Sequence, residues 1–319
     1  MHPAMRQFTF EDLTYLNRTR KTRRQLFLER MDRVLPWSTF LAILKPYYPK
    51  GERGRPPIPL ETMLRIYFMQ QWFHLSDPAA EDAVHDIFPI RMFAKVQPGY
   101  APDETTICKF RHWLEEHGLT KQLLRVSSRY LEKHNILVRE GTIVDATIIA
   151  ASSSTKNKEH KRDPEMASTK KGNTWHFGMK AHVGTDTQGL VHSVETSAAN
   201  VHDSEMMEAC LHGEEEVIYG DKGYVSQARK TQAEACGVTW RVLRKATRKR
   251  KLNCADQSFN RKSNRTRARV EHVFGVIKHQ WGFRKVRYRG LEKNTAQLYT
   301  LFALANFHMA GDRLLALQG

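Results

Sequence analysis

The sequence predicts an α/β protein in which an all-helical N-terminal region precedes a mixed β-sheet flanked by helices. Up to about residue 135 the apolar residues recur with helical spacing. From Thr142 the pattern changes to short strands, three in succession and then strands that alternate with helices. The 319 residues exceed the usual size of one domain. We therefore predict a helical domain at 1–135 and an α/β domain at 136–319.

The composition indicates a globular protein with a polyanionic partner. Hydrophobic residues make up 40% of the chain, and the formal net charge is +17 with a pI near 9.8. Such a charge favours nucleic acid, because neutralising phosphates releases counterions. No apolar run approaches the roughly 18 residues that span a bilayer, and no segment resembles a secretory signal or a membrane-binding amphipathic helix. We predict a cytoplasmic protein with no membrane partner.

The cysteines exclude two further classes of protein. They lie far apart without a C-x-x-C pair, at Cys108, Cys210, Cys236 and Cys254. This spacing argues against both a zinc ribbon and a disulfide framework.

Helix signals follow one another through the N-terminal region. A basic helix ends at Pro36, and the Gly-, Pro- and Arg-rich segment 50–59 is typical of a connector. Ser76 and Asp103 are N-cap candidates for two of the next helices, and Gly118 is a C-terminal signal. These helices predict a compact unit for DNA binding or dimerisation.

The α/β region contains five candidate strands. They are "TIVDATIIAA", "HFGMKAHVGTD", "GLVHSVETSAAN", "EVIYGDKGY" and "VTWRVLRK". Two intervening helices are predicted, "HDSEMMEACLHG" and "SQARKTQAEACG". The polar segment "SSSTKNKEHKRDPEMASTKKGN" between the first two strands is typical of an exposed, mobile loop.

Two basic segments predict contact with the phosphate backbone of DNA. Between Arg241 and Arg269 there are twelve Lys or Arg and a single acid, Asp256, and we expect this segment to lack a regular helical frame. The segment "GFRKVRYRGL" interleaves basic and aromatic residues. The proposed DNA contacts are Arg248, Lys249, Arg250, Lys251, Arg284, Lys285, Arg287 and Arg289. A solvated basic face without a ligand is the alternative for both segments.

Three acidic residues stand at unusual positions. Asp145 interrupts a strand that is otherwise apolar, and a buried carboxylate costs several kcal/mol unless it is paired, neutral or bound to a metal. Asp221 follows another apolar strand beside two glycines that let the backbone approach a ligand. At about 100° per residue, Glu271 shares the border of a helix stripe with Arg267 and Lys278.

The three carboxylates together indicate metal-dependent phosphoryl transfer. Asp145, Asp221 and Glu271 supply the hard oxygen ligands that Mg²⁺ prefers, with positions left for water and phosphate. Two such ions activate a nucleophile and stabilise the leaving oxygen. Mn²⁺ accepts the same ligands, so we expect it to substitute.

The chain resembles the DDE transposases of bacterial insertion sequences, in particular the IS-five family. The similarity extends almost from end to end, through motifs such as "GTIVDATIIAASSSTKNKEHKRDPEM", "KKGNTWHFGMKAHVGTD", "GDKGY" and "RARVEHVFGVIKHQWGFRKVRYRGL". The resemblance implies a ribonuclease-H-like catalytic domain with Asp145 on the first strand, Asp221 after the fourth and Glu271 on a later helix. The family signature resembles Y-x2-R-x3-E-x6-K, and Asn264 occupies the tyrosine position here.

The resemblance also implies roles for neighbouring residues. Arg267 would steady Glu271 or a phosphate, and Lys278 would contact the DNA backbone. Lys180 and His182 alternate onto one strand face, so they either line the site or pack within the sheet.

The predicted function is a DNA transposase that binds terminal inverted repeats of its element, cleaves DNA with two Mg²⁺ ions and joins the ends to target DNA. Double-stranded DNA is the expected partner, and synapsis of two ends predicts a homodimer or a larger assembly. A nucleoid-associated bacterial location follows by analogy. Two alternatives are a structure-specific nuclease of the same fold and a DNA-binding repressor that needs no intact acids.

Overall fold

The computed structural model describes residues 20–51, 56–96, 100–247 and 250–318. Seven helices precede the sheet in this part of the chain: α1 (Arg23–Val34), α2 (Trp37–Leu44), α3 (Leu60–Phe73), α4 (Asp77–Asp86), α5 (Phe88–Ala94), α6 (Glu104–Glu116) and α7 (Leu119–Lys133). The later helices are α8 (Gln227–Ala235), α9 (Cys254–Arg267), α10 (Val270–Gly275) and α11 (Leu291–Ala316).

Local sequence signals set the helix boundaries in the N-terminal region. The side chains of Ser76 and Asp103 accept hydrogen bonds from backbone N–H groups in the first turns of α4 and α6, as their sequence positions predict. Thr22 caps α1 in the same way. These contacts satisfy backbone donors that a helix start would otherwise leave unpaired.

A buried arginine organises the core of the helical region. Arg65 on α3 pairs with Asp32 at 2.7 Å and with Glu61 at 2.8 Å. Its guanidinium lies 3.9 Å from the ring centre of Trp37 and donates to the carbonyl of Phe93. The charge is therefore compensated by acids and by an aromatic face, which lets an arginine occupy an apolar core.

The sheet contains six strands within the described residues. They are β1 (Gly141–Ala150), β2 (Ala167–Lys171), β3 (Thr174–Thr185), β4 (Val191–Ala198), β5 (Val217–Gly220) and β6 (Thr239–Val242). β3 lies antiparallel to β1 on one edge and to β2 and β4 on the other, whereas β5 and β6 continue the sheet beyond β1 in parallel. This mixed sheet with flanking helices confirms the predicted α/β class and its N-terminal helical region.

Three local predictions were wrong. The polar segment after β1 contains β2, which forms because residues 167–171 pair with the start of β3. Residues 203–206 and 208–210 form short 3₁₀ turns where a helix was expected. The basic segment contains the regular helix α9, which begins with a capping box between Asn253 and Asp256.

The chain folds as two compact units. One comprises the chain up to Gln122 together with residues 310–319, and the other comprises Leu123–Met309. The second unit contains the whole sheet. Among the described residues, no helix combines the length and the apolar character needed to cross a membrane.

The close approach of β3 to Cys210 requires a glycine at position 184. A Cβ atom there would overlap the carbonyl oxygen of Cys210 and press on the ring of His192. We expect Gly184→Ala to lower the free energy of unfolding by about 1–3 kcal/mol, as overpacking does, measured by urea denaturation. Gly275→Ala in α10 is the control, because no heavy atom beyond its chain neighbours and the backbone of its own helix lies within 4 Å of the added Cβ. Equal denaturation midpoints for the two variants would contradict this expectation.

Candidate active site

Asp145 lies where β1 extends past its parallel neighbour. The pairing of β1 with β5 ends at Val144 and Gly220. Beyond that point the backbone N–H of Ala146 donates to Asp145 Oδ1 at 2.8 Å. Burial raises the pKa of the Asp145 carboxyl to about 6, opposed by the nearby Arg267 and reinforced by the negative charge of Asp221. A nearby positive charge is therefore needed to stabilise the ionised form of this buried carboxylate.

Arg267 provides that charge and links two elements of the fold. Its Nη1 donates to Asp145 Oδ2 at 2.7 Å, and its Nη2 donates to Glu271 Oε1 at 2.8 Å. Its Nε donates to Asn264 Oδ1 at 3.1 Å. The guanidinium thus connects β1 with the α9–α10 segment, across 122 positions of sequence.

Asp221 follows the last residue of β5. Because Gly220 pairs with Val144, Asp221 and Asp145 are each the next residue after this last pair between β5 and β1. Strands in a sheet lie about 4.8 Å apart, and the influence of Asp221 on the pKa of Asp145 agrees with this proximity. The Asp221 side chain is exposed and caps the following 3₁₀ turn through the backbone N–H of Lys222 at 2.6 Å.

The acidic residues fit a hard cation by their donor chemistry. Asp145, Asp221 and Glu271 offer only carboxylate oxygens, the ligand type that Mg²⁺ prefers. In the part of the chain that the structure describes, no three His, Cys, Asp or Glu side chains form a ready metal cluster. The positive charge beside Asp145 is instead that of Arg267.

Lys278 contacts β1 from the helical segment that follows Glu271. Residues 276–280 form a π-helical turn, and Lys278 Nζ donates to the carbonyl of Ile148 at 2.6 Å. Burial, together with the positive charge of Lys171, lowers the pKa of Lys278 to about 8. The ammonium therefore anchors this helical segment on β1, a contact that the sequence pattern did not indicate.

Lys180 and His182 lie on the other face of the sheet from Asp145. The register pairs Lys180 with Ile148 and His182 with Ala146, and neighbouring residues of a strand point to opposite faces. His182 is buried and contacts Ser197 Oγ at 2.8 Å, and burial lowers its pKa to about 4. His182 is therefore packed within the sheet.

Lys180 has a partner that sequence reasoning missed. Its Nζ pairs with Asp203 at 2.8 Å and donates to the carbonyl of Val201 at 2.7 Å. Asp203 begins a 3₁₀ turn that His202 caps through its side chain. The negative charge of Asp203 also raises the pKa of Asp145. In the sequence Asp203 is a single acid beside His202, and no pattern there predicts that it pairs with Lys180.

The first basic segment, from Arg241 to Arg269, contains one acid that pairs with two of its arginines. Asp256 is only 2% exposed and pairs with Arg244 at 2.6 Å and Arg250 at 3.1 Å. Lys251 is exposed. Arg248 and Lys249 lie outside the described residues. Arg250 is therefore partly neutralised within the protein.

The second basic segment follows the π-helical turn and pairs with β1. Ala150 forms a parallel bridge with Lys285, and Val286 N donates to the carbonyl of Ala150. The side chains of Arg284, Lys285 and Arg289 are exposed, and that of Arg287 is half-buried. Arg289 also pairs with Glu159 at 2.6 Å.

Comparison with known protein families identifies the class of the chain. Residues 137–307 match the family model described as "Transposase DDE domain", which covers more than half of the chain. The chain belongs to the DDE transposase-domain family. Residues 16–113 match a second model, described as "Transposase domain (DUF772)". The predicted resemblance to DDE transposases is confirmed, and the activity class of this protein is that of a DNA transposase.

Two solved transposase structures align with most of this DDE transposase. The cryo-EM structure of the piggyBac transposase synaptic complex with hairpin DNA is 10% identical, with a TM-score of 0.47, and the alignment covers 92% of this chain and 76% of that chain. The crystal structure of the Mos1 strand transfer complex is 15% identical, with a TM-score of 0.29 and coverage of 83% and 78%.

Proposed function

We propose that this DDE transposase binds the terminal inverted repeats of a bacterial insertion sequence of the IS-five family, cleaves the DNA at their ends and joins the 3′ hydroxyl to target DNA. The observation that carries this proposal is the link from Asp145 through Arg267 to Glu271, with Asp221 on the neighbouring strand. It brings Asp145 and Glu271, which are 126 positions apart in the sequence, onto one guanidinium.

Asp145 is linked to Glu271 through Arg267, and Asp221 follows the strand that pairs with β1. Asp145, Asp221 and Glu271 would hold two Mg²⁺ ions, for which Mn²⁺ would substitute. Bound Mg²⁺ supplies an activated water and stabilises the leaving oxygen in phosphoryl transfer. Arg267 bonds to both Asp145 and Glu271, and Lys278 holds the helical segment that follows Glu271 against β1.

We assign the DNA contacts to two basic segments and to the helical region. The basic residues from Arg241 to Arg269 and from Arg284 to Arg289 provide phosphate contacts, while the helical region at 1–135 recognises the ends and supports dimerisation. The high positive charge of the chain supports this assignment, since phosphate contacts dominate the affinity of proteins for DNA. A location at the bacterial nucleoid follows from the same interaction.

A joining assay tests the proposed function. The full-length protein is incubated with Mg²⁺, a linear fragment that carries the inverted repeats and a supercoiled target plasmid. We expect nicks at the repeat ends and covalent joining of the fragment to the plasmid. Cleavage without joining would identify a nuclease, and repeat binding that survives chelation without any cleavage would identify a repressor.

A further inference from the structure

The guanidinium of Arg267 occupies the oxygens that the proposed site offers to a cation. Arg267 bonds to Asp145 Oδ2 at 2.7 Å and to Glu271 Oε1 at 2.8 Å. The other oxygen of Asp145 accepts the backbone N–H of Ala146 at 2.8 Å. Both oxygens of Asp145 therefore already accept hydrogen bonds.

Asn264 fixes the orientation of this guanidinium. Its Oδ1 accepts from Arg267 Nε at 3.1 Å, one turn earlier on α9. A guanidinium is planar and its N–H groups point in fixed directions. Holding Nε on Asn264 therefore directs Nη1 and Nη2 toward the two acids. Asn264 stands at the tyrosine position of the family signature, so this contact depends on the residue that distinguishes the chain from that signature.

Burial makes the contact with Asp145 the stronger of the two ion pairs. The side chains of Arg267 and Asp145 are 15% and 16% exposed, whereas that of Glu271 is 60% exposed. Charge-assisted hydrogen bonds strengthen where water is excluded, and exposed ion pairs contribute little. A divalent cation that binds Asp145 must therefore displace a largely desolvated guanidinium.

We propose that Arg267, oriented by Asn264, is a resident counter-cation that competes with divalent cations for Asp145 and Glu271 and so lowers the cation affinity of the DNA-free protein. This inference rests on the proposed function, because it treats these carboxylates as cation ligands. Arg267 is a positioning residue in this scheme. The opposite role, in which Arg267 supports the site and favours metal binding, predicts the opposite sign in the test below.

The test is a titration of the DNA-free, full-length protein with Mn²⁺, in which electron paramagnetic resonance measures the free ion. We expect Arg267→Gln to lower the dissociation constant by about tenfold or more, equivalent to about 1.4 kcal/mol. Arg267→Lys should give a smaller decrease, because one ammonium retains the charge but cannot bridge both acids in the same geometry. Asn264→Ala should also tighten binding, by less than Arg267→Gln.

Arg269→Gln is the matched control. It removes an arginine two residues away whose side chain contacts the Thr187 carbonyl and Gln188, and we expect wild-type Mn²⁺ affinity. Circular dichroism checks that each variant is folded. If Arg267→Gln fails to fold, Arg267→Lys shows whether the Mn²⁺ dissociation constant falls or rises.

Two results would overturn the inference and can be told apart. Unchanged or weaker Mn²⁺ binding in the Arg267 variants would refute competition while leaving the proposed function intact. No Mn²⁺ binding by any of the proteins would refute both the competition and the assignment of the acids as cation ligands.

Discussion

Replacement of Asp145 by asparagine is expected to abolish DNA strand cleavage while binding to the element ends persists. Asparagine preserves the shape of the side chain but removes the negative charge that a cation requires. We expect the cleavage rate with Mg²⁺ to fall by at least about a thousandfold, which corresponds to about 4 kcal/mol of transition-state stabilisation. Cleavage of labelled end DNA measures the rate, and a gel shift measures the binding.

The same loss of activity is expected for Asp221→Ala and Glu271→Ala. Glu216→Gln is the control, because Glu216 is an exposed carboxylate that precedes β5, whereas Asp221 follows that strand. Near wild-type cleavage by any one of the Asp145, Asp221 or Glu271 variants would remove that residue from the proposed catalytic set. Loss of end binding in step with cleavage would instead point to misfolding or to a direct DNA contact.

Neutralising the basic segment is expected to weaken binding to all DNA sequences alike. The variant carries glutamine in place of Arg248, Lys249, Arg250 and Lys251. Each lost phosphate contact reduces the slope of log affinity against log salt by about one unit. Because Arg250 is paired with Asp256, we expect a reduction of about three units rather than four. Fluorescence anisotropy over a series of salt concentrations, with repeat and random DNA, measures this slope.

Asp256→Asn provides a complementary variant within the same network. It removes the acid that neutralises Arg244 and Arg250, so we expect a steeper salt dependence together with a lower melting temperature. A quadruple variant that loses discrimination between repeat and random DNA at an unchanged salt slope would show that the segment reads sequence. The division of labour between the helical region and the basic segment would then be wrong.

The elements that the sequence predicted well are those with a strong local signal. The apolar runs around Asp145 and before Asp221 form β1 and β5, and Ser76 and Asp103 cap the helices that follow them. Each of these features depends on residues within a few positions of one another. Continuous apolar runs and side-chain capping are local signals, so one sequence suffices to predict them.

The elements that the sequence missed depend on distant partners. Residues 167–171 are polar and lysine-rich, and they become a strand only because the start of β3 offers backbone groups to pair with. The π-helical turn at 276–280 has no separate sequence signal, and it carries the Lys278 that contacts Ile148. The capping box of α9 was present in the sequence, but the density of positive charge led us to expect no helix there.

The sequence by itself determined the class of this protein: a basic chain with helical and α/β regions, three acids and an Arg267–Glu271 pair at helical spacing. Only the tertiary structure decided how these parts meet. It joined Asp145 to Arg267, placed Lys180 and His182 on the other face of the sheet and gave Asn264 a role as an acceptor. The physical reason is that helical spacing determines which residues are neighbours within one turn of a helix. Which distant side chains contact one another in a buried site depends on strand register and on the packing of helices against the sheet.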